Sequence, residues 1–258
     1  MSKLISFCST CRNRLWQLMD TLPINLQSIS DAHEIVLVDY GSTDGLSDWI
    51  WNNYKKDIES KKLVFFEVKN EVRWNIARAK NLAHRLASGD YLFNLDADNF
   101  ITQDDIQEIT KAVESASHCW QFSQDLRDDG SFGRIGLPAE LFKFIGGYDE
   151  TFLAMGYEDI DLINRIAALK RERLQLAPPA IKAIQNSSTQ KISESKLGSI
   201  QFSDPTSALK LMDHLNEKIA KYKLQTLGPI RVGGGFSYKG LLNGSDVTID
   251  GFATIHYN

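Results

Sequence analysis

Short apolar runs alternate with helical patterns along the first half of the chain, and this alternation constrains the fold more than any other feature. Four apolar runs of strand length lie at Leu4–Phe7, Glu34–Val38, Leu63–Val68 and Tyr91–Leu95. A longer stretch with helical spacing follows each run, as at Asn75–Ala87. Strands that alternate with helices in this way are typical of β-α units with a parallel sheet. We therefore predict an α/β fold with a central, mostly parallel sheet flanked by helices.

The second half of the chain has shorter and less regular elements. We predict strands at Trp120–Ser123, Arg134–Leu137 and Ala180–Ile184, a hairpin turn at Asp128–Gly130, and helices at Leu141–Ile145, Glu158–Lys170 and Thr206–Tyr222. The polar, serine-rich stretch 186–204 has no periodicity and is predicted to be a loop or linker. Strand-like pieces follow at Val247–Ile249 and Ala253–His256. We divide the chain into a domain at 1–185 and a C-terminal extension at 186–258.

Composition and charge exclude several classes of protein. Of the 258 residues, 43% are hydrophobic and 24% are charged, as in ordinary globular proteins. The net charge of −4 argues against a non-specific nucleic-acid binder. No apolar run reaches the length of a transmembrane helix, and the N-terminus lacks the apolar core of a signal peptide. We expect a cytoplasmic protein, and association with the surface of a membrane is left open.

Cys8 and Cys11 form a Cys-x-x-Cys pair, which raises the question of a zinc or redox site. A closed zinc site needs four ligands, and no second pair of this kind completes one. A redox motif lies where a strand meets a helix, and this pair is predicted close to such a point. We favour the interpretation that the two cysteines are half-buried structural residues that flank the strand-to-helix turn. Together with Cys119 the chain has three cysteines, and an odd number of cysteines fits a reducing compartment.

Polar clusters follow three of the predicted strands, at Thr10–Arg14, Asp39–Asp44 and Asp96–Asp98. Ligands of open α/β sheets bind beyond the carboxyl ends of the strands. Asp96 and Asp98 lie one residue apart, so both carboxylates can point the same way and share one hard divalent cation. The remaining positions of such a cation suit the phosphate oxygens of a nucleotide diphosphate. The Asp-Ala-Asp sequence is a weak signal alone, and its place after an apolar run strengthens it.

A glycine pair and a group of acids mark the second informative stretch. Gly146-Gly147 lets the backbone approach a ligand closely, and Glu158, Asp159 and Asp161 then open a predicted helix. Acids at the N-terminus of a helix are commonly stabilised by its dipole and by its unpaired amides, with no catalytic role. Together with the upstream acids, they favour a catalytic carboxylate.

Six short motifs follow one another within residues 4–185. They are Cys-Ser-Thr-Cys-Arg-Asn-Arg, Leu-Val-Asp-Tyr-Gly-Ser-Thr-Asp, Ala-Arg-Ala-Lys-Asn, Asn-Leu-Asp-Ala-Asp, Gly-Gly-Tyr-Asp-Glu and Gly-Tyr-Glu-Asp. As an ordered series they resemble the family 2 glycosyltransferases, which have the GT-A fold. The second half is also similar to the β1,4-galactosyltransferase and polypeptide GalNAc-transferase type. The resemblance implies a metal-dependent, inverting hexosyl- or N-acetylhexosaminyltransferase that uses a nucleoside-diphosphate sugar, with UDP favoured.

The resemblance also implies roles for individual residues. The donor-binding positions are Thr10, Arg14, Asp39, Arg78, Lys80, Asp96 and Gly147. Asp98 and Asp96 would hold Mn²⁺ or Mg²⁺. Asp159 matches the general base, and Glu158 matches a contact to the acceptor hydroxyl. The acceptor class stays open between glycan, lipid-linked and peptide hydroxyls, and the extension at 186–258 is expected to help define it.

The chain departs from the family pattern in two places. Tyr40 stands where many relatives have a second acid or an asparagine. Many relatives also have a histidine metal ligand some distance after the base, and here the matching region contains Asn186 and no histidine. Either Asn186 is a weak ligand, or the metal has fewer protein ligands, or a histidine arrives from elsewhere. His256, close to the C-terminus, is the candidate for the last case.

Three other functions compete with this interpretation. A nucleotidyltransferase normally has a glycine-rich loop after its first strand, and Phe7–Arg14 contains no glycine. A non-catalytic GT-A-like nucleotide-sugar-binding module would not need both Asp98 and Asp159. A redox protein built on the two cysteines would leave all the acidic motifs unexplained.

Overall fold

The computed structural model describes residues 5–70, 73–122, 130–195, 204–231, 236–250 and 255–257. The strands in these ranges are β1 (Ile5–Cys11), β2 (Glu34–Asp39), β3 (Leu63–Val68), β4 (Tyr91–Asn94), β5 (His118–Trp120), β6 (Ile135–Pro138), β7 (Arg173–Gln175), β8 (Tyr238–Leu242), β9 (Ser245–Ile249) and β10 (Ile255–Tyr257). The helices are α1 (Leu15–Ser28), α2 (Leu46–Asn53), α3 (Lys55–Glu59), α4 (Ile76–Leu86), α5 (Gln103–Glu114), α6 (Ala139–Ile145), α7 (Glu158–Ala168), α8 (Ser188–Ile192) and α9 (Pro205–Leu227).

All of these strands belong to one mixed sheet in the order β10-β9-β8-β3-β2-β1-β4-β6-β5-β7. The central strands β3, β2, β1 and β4 are parallel, as the alternation of strands and helices predicts. On either side the sheet continues with antiparallel strands, because β6 pairs with β4 and β8 pairs with β3. The last three strands of the chain therefore extend the sheet built by the first half. The predicted domain boundary at residue 185 stays a prediction.

Alternate residues of the central strands face two separate apolar layers. Val36 and Val38 of β2 pack on one face with Ala83 of α4, whereas Ile35 and Leu37 pack on the other face with residues of α1. Side chains of a strand alternate between the faces of a sheet, so a continuous apolar run indicates burial on both sides. Helices therefore cover both faces of the parallel core.

Local hydrogen bonds define where the helices near the sheet begin. Asn75 caps α4 by accepting a hydrogen bond from the backbone N–H of Arg78. Thr102 and Asp105 form a reciprocal capping box at the start of α5. Such caps satisfy backbone amides that have no partner within the helix. Among the described residues, no helix has the length and apolar character that crossing a membrane requires.

The structure differs from two of the predicted elements, the strand at 180–184 and the loop at 186–204. Residues 180–184 do not form a strand, and the late strand is β7, which runs parallel to β5. The predicted loop at 186–204 contains α8, which starts with a capping box between Ser187 and Gln190. These short elements depend on pairing with distant segments, which local periodicity does not report. The hairpin turn predicted at Asp128–Gly130 lies mostly outside the described residues.

The cysteine pair belongs to β1 and does not flank a turn. Cys8 packs in the apolar layer on one face of the sheet, and Cys11 packs in the layer on the other face. Both thiols are free and buried, and burial raises the pKa of each above its ordinary value. Two side chains on opposite faces of a sheet cannot ligate one metal ion or join in a disulfide. The zinc and redox interpretations are therefore excluded.

Candidate active site

A cavity of about 500 Å³ opens at the carboxyl-terminal ends of β1 and β4. Thr10 of β1 and the pair Asp96 and Asp98 after β4 line it, because parallel strands end at the same edge of the sheet. Glu158 and Asp159, the first residues of α7, line the same cavity. Five of the predicted donor, metal and catalytic positions thus meet here with Arg14 of the turn after β1.

Neighbouring amides orient the two carboxylates after β4. Asn94 donates a hydrogen bond to Oδ1 of Asp96 at 3.0 Å, and Asn99 donates to Oδ1 of Asp98 at 2.7 Å. Asn186, from the segment before α8, donates to Oδ2 of Asp98 at 2.6 Å. Burial and the negative charge of Asp96 raise the pKa of Asp98 to about 7. The site therefore holds a pair of carboxylates that a nearby cation would stabilise.

This set of side chains fits a hard divalent cation that keeps other ligands. Mg²⁺ and similar cations are held by one or two carboxylates together with phosphate oxygens and water. Among the described residues, no cluster of three or more His, Cys, Asp or Glu side chains could hold a metal ion. Asp96 and Asp98 could thus supply two ligands, with Asn186 close by, and a bound diphosphate would complete the coordination.

Lys80 lies beneath the acids and joins the two motifs. Its ammonium group is 1% exposed and lies 2.7 Å from Oδ1 of Asp159, 3.1 Å from Oε1 of Glu158 and 3.9 Å from Oδ1 of Asp96. Burial by itself lowers the pKa of Lys80, but the three carboxylates outweigh that effect and raise the pKa well above its ordinary value. Lys80 is therefore a permanent buried cation that holds the acids in fixed positions.

Asp159 has the properties of a proton acceptor that works near neutral pH. The pKa of its carboxyl is raised to about 7. Burial is the main cause, the negative charges of Glu158 and Asp96 act in the same direction, and Lys80 acts against them. A general base is most effective when its pKa lies near the working pH. Desolvation is the largest effect on this pKa, and the charge of Lys80 is the main effect that opposes it.

Gly133 makes the close approach of the two acidic motifs possible. A Cβ atom at this position would lie 2.5 Å from Oδ2 of Asp96 and 3.2 Å from Oδ2 of Asp159. The carbonyl of Gly133 also accepts a hydrogen bond from Asn94 at 2.9 Å. Any side chain at position 133 would push the carboxylates of Asp96 and Asp159 apart. Sequence reasoning missed this glycine, because it belongs to no motif.

The segment around α8 lies across one end of the cavity. Glu194 forms an ion pair with Arg12 at 3.0 Å, and Arg14 donates a hydrogen bond to the carbonyl of Gln190. Gln17 of α1 donates to Asn186 at 2.8 Å. The polar turn after β1, which was predicted to bind a nucleotide, is thus tied to α8 here. Lys191 of α8 also lines the cavity and adds a cation that sequence reasoning missed.

Three predicted donor positions lie outside this cavity. Asp39 is buried and accepts the backbone N–H of Ser42 at 2.7 Å. Arg78 lies over the ring of Phe236, 3.4 Å from its centroid. Gly147 packs against Asn81 of α4, and its carbonyl accepts a hydrogen bond from Arg165 at 2.6 Å. Gly147 therefore lets the backbone pack within the core, and the structure does not bring it to the cavity.

Two further predicted positions need correction. Lys80 does not face solvent or line the cavity, because its ammonium group is buried between the acids. His256 belongs to β10, six strand positions from β4 in the sheet order. Since neighbouring strands lie about 4.8 Å apart, this separation is roughly 30 Å along the sheet. His256 is therefore not a ligand of a metal at Asp98.

The comparisons with known proteins agree with this geometry. The model for the family described as Glycosyl transferase family 2 matches residues 6–175. The chain belongs to glycosyl transferase family 2. That match runs from β1 to the end of β7 and includes Asp96, Asp98, Glu158 and Asp159. No protein among the curated sequences matches this chain.

Solved structures with the same fold have low sequence identity to this chain. One is the mannosyltransferase PcManGT from Pyrobaculum calidifontis in complex with GDP-Man and Mn²⁺, with a TM-score of 0.58, 16% identity, and coverage of 88% of this chain and 71% of that chain. Another is residues 1–349 of TarS from S. aureus in complex with UDP-GlcNAc, with a TM-score of 0.55, 13% identity, and coverage of 81% and 65% respectively. This chain therefore has the GT-A fold that the motifs predicted.

Proposed function

We propose that this protein is a metal-dependent, inverting glycosyltransferase that moves a sugar from a nucleoside-diphosphate donor to an acceptor hydroxyl. The observation that carries the proposal is the meeting of Asp96, Asp98 and Asp159 in one cavity, with Lys80 beneath them. A nucleotidyltransferase has no need for a buried carboxylate with a pKa near 7 beside the metal-binding pair.

The donor lies at the end of the cavity formed by β1 and α8. That end is lined by Thr10 and by three cations, Arg12, Arg14 and Lys191. The positive charges of these three side chains suit a diphosphate. UDP is the nucleotide we favour, following the resemblance to the galactosyltransferase type. The fold neighbours were solved with both GDP-Man and UDP-GlcNAc, so the base and the sugar must be determined by assay.

Asp96 and Asp98 would hold Mn²⁺ or Mg²⁺ in this proposal. When bound there, such a cation would supply positive charge next to the leaving diphosphate. Asn186 already contacts Asp98 through its amide, and a flip of that amide would direct its oxygen toward the same cation. Asn186 thus replaces the histidine of many relatives as a candidate weak ligand.

Asp159 accepts the proton of the acceptor hydroxyl as that oxygen attacks the anomeric carbon. The new bond from oxygen to carbon forms as the bond from the anomeric carbon to the diphosphate breaks, and the electron pair leaves with the diphosphate. Attack from the side opposite the leaving group inverts the anomeric configuration. Glu158 contacts the acceptor hydroxyl, and Lys80 keeps Asp159 in place through its contact of 2.7 Å.

The test is an assay of nucleotide release from a panel of nucleotide sugars with Mn²⁺ and a mixture of saccharide, glycerol phosphate and peptide acceptors, on the wild type and on Asp159→Asn. Removing a general base costs on the order of 10²–10⁴ in rate. Donor affinity, measured by calorimetry, should stay close to the wild-type value. The exposed variant Asp20→Asn is the matched control and should behave as the wild type.

Two results would contradict the proposal. Wild-type protein that binds nucleotide sugars but never releases nucleotide would indicate a non-catalytic binding module. Full turnover in Asp159→Asn would mean that these acids only stabilise the start of α7.

A further inference from the structure

Part of the cavity wall comes from α9 and has no role in the proposed donor site. Leu209, Lys210 and Asp213 of α9 line the cavity that contains Asp159. Trp74 and Met155 line it beside them and pack with Leu209 in one small apolar cluster. These five side chains are called the α9 wall below.

The α9 wall is held in a defined position relative to the base. Asn216 is fully buried, accepts the backbone N–H of Leu153 at 2.8 Å and donates to the carbonyl of Gly156 at 2.8 Å. At Gly156, where φ is +94°, a Cβ atom would lie 3.0 Å from Oδ1 of Asp213. Asp213 also accepts the backbone N–H of Tyr157. Since α7 begins directly after Tyr157, α9 is fixed against the segment that positions the catalytic acids.

The side chains of the α9 wall combine an apolar surface with a hydrogen-bond acceptor. Trp74, Met155 and Leu209 provide the apolar surface, and Asp213 provides an exposed carboxylate that lines the cavity next to it. Binding sites of small molecules typically pair apolar surface with a few placed polar groups. A sugar ring matches this pattern, because its C–H face is apolar and its hydroxyl groups donate hydrogen bonds.

The charges at this end of the cavity disfavour an anionic ligand. Burial raises the pKa of Asp213, and the negative charge of Glu158 raises it further. Glu158 and Asp159 share the cation Lys80, which is buried beneath them and does not line the cavity, so Lys210 of the α9 wall is set against three acids here, Glu158, Asp159 and Asp213. A phosphate or carboxylate next to the reacting hydroxyl would therefore meet carboxylates of the same sign.

We infer that the α9 wall is the acceptor subsite and that it binds a neutral saccharide. The ring face packs on Trp74 and Leu209, and a ring hydroxyl donates a hydrogen bond to Asp213. The inference rests on the proposed function, since an acceptor exists only if Asp159 deprotonates one. Three of the five residues of the wall, Leu209, Lys210 and Asp213, lie beyond the part of the chain that the family model matches, whereas Trp74 and Met155 lie within it.

Binding of probe molecules tests this subsite directly. Saturation-transfer NMR on the full chain with UDP and Mn²⁺ would use methyl glycosides of neutral hexoses and their disaccharides. Glycerol phosphate and a serine-containing peptide would represent the other acceptor classes. We expect a neutral saccharide to bind, and Asp213→Ala, which removes the acceptor, to weaken its binding about tenfold, the lower end of the effect of one hydrogen bond to a charged group. The affinity for UDP should stay unchanged in this variant.

Matched variants on α9 separate the wall from the rest of the helix. Glu217→Gln removes an acid one turn further along, outside the cavity, and should leave saccharide binding unchanged. Lys210→Ala and Lys218→Ala form a second pair of exposed lysines, of which Lys210 alone lines the cavity. Only changes at cavity positions should alter the binding of the saccharide.

Each remaining outcome has a clear meaning. The inference is overturned if no saccharide binds, if glycerol phosphate or the peptide binds in preference, or if Asp213→Ala binds the saccharide as tightly as the wild type. Saccharide binding that depends on Asp213, in a protein that releases no nucleotide from any donor, would instead overturn the proposed function and leave the saccharide subsite standing.

Discussion

At the scale of single residues, the charge of Lys80 organises the chemistry of the site. One buried ammonium group contacts acids from two motifs that are more than sixty residues apart in the chain. Breaking a buried ion pair by removing one partner costs about 3–5 kcal/mol, because the other charge stays unpaired. Lys80 therefore both stabilises the fold and positions Asp159.

The pKa of Asp159 predicts how the reaction depends on pH. Asp159 must be ionised to accept a proton, so kcat/KM should fall as the pH drops below about 7. Lys80 lowers the pKa of Asp159, so Lys80→Met should move this limb of the pH profile to higher pH. Lys80→Arg keeps the positive charge and serves as the control. A limb at the same pH in Lys80→Met would contradict the prediction.

Gly133 gives a second prediction at the residue scale. In Gly133→Ala the new methyl group would collide with Asp96 and crowd Asp159. A displacement of about 1 Å in a catalytic group can cost roughly 10²-fold in rate. We expect a loss of turnover of that order with weaker metal-dependent donor binding, measured by nucleotide release and calorimetry. Wild-type turnover in this variant would show that the two acids need not lie so close.

At the scale of elements, α8 competes with the donor for the cationic groups after β1. Glu194→Gln removes both the ion pair with Arg12 and a negative charge from a cavity that must hold a diphosphate. We expect tighter UDP binding, by a few-fold, as a partly exposed ion pair contributes about 0.2–1 kcal/mol. Lys191→Gln, on the same segment, should have the opposite effect on the Kd. Equal shifts in both variants would mean that α8 acts only through its packing.

At the scale of the whole molecule, buried ion pairs join the C-terminal segment to the family domain. Arg231 contacts Asp149 at 2.8 Å, and Lys223 of α9 contacts the same carboxylate at 2.8 Å. Both cations bind an acid of the Gly-Gly-Tyr-Asp-Glu motif. This motif therefore fixes the position of α9, which makes it part of the architecture of the proposed acceptor subsite.

Removing one of these ion pairs should destabilise the entire protein. Arg231→Met leaves the carboxylate of Asp149 buried with one partner fewer, and we expect a loss of about 3–5 kcal/mol in the free energy of unfolding. Lys221→Met breaks an exposed pair with Glu217 on α9 and should leave the free energy of unfolding close to the wild-type value, because solvent screens such a pair. Urea unfolding measures both. Equal losses of unfolding free energy in the two variants would show that the buried ion pair stabilises the protein no more than the exposed one.

Local patterns in the sequence were sufficient to predict the parallel core and the acids at its edge. A run such as Leu63–Val68 has strand periodicity, and the family motifs place Asp96 and Asp98 directly after β4. These features depend on residues close together in the chain, so burial and turn formation leave a readable pattern. For the same reason, the start of α7 at Glu158 was predicted correctly.

The tertiary structure decided which distant residues meet at the cavity. Lys80 has the same local pattern as a solvated lysine on a helix, and only the packing of α4 against α7 buries it between carboxylates. Likewise, the pairing of β8 with β3 places His256 far from Asp98, while α9 brings Asp213 next to the acids. Contacts of this kind depend on the relative positions of whole elements, and no stretch of the chain encodes them by itself.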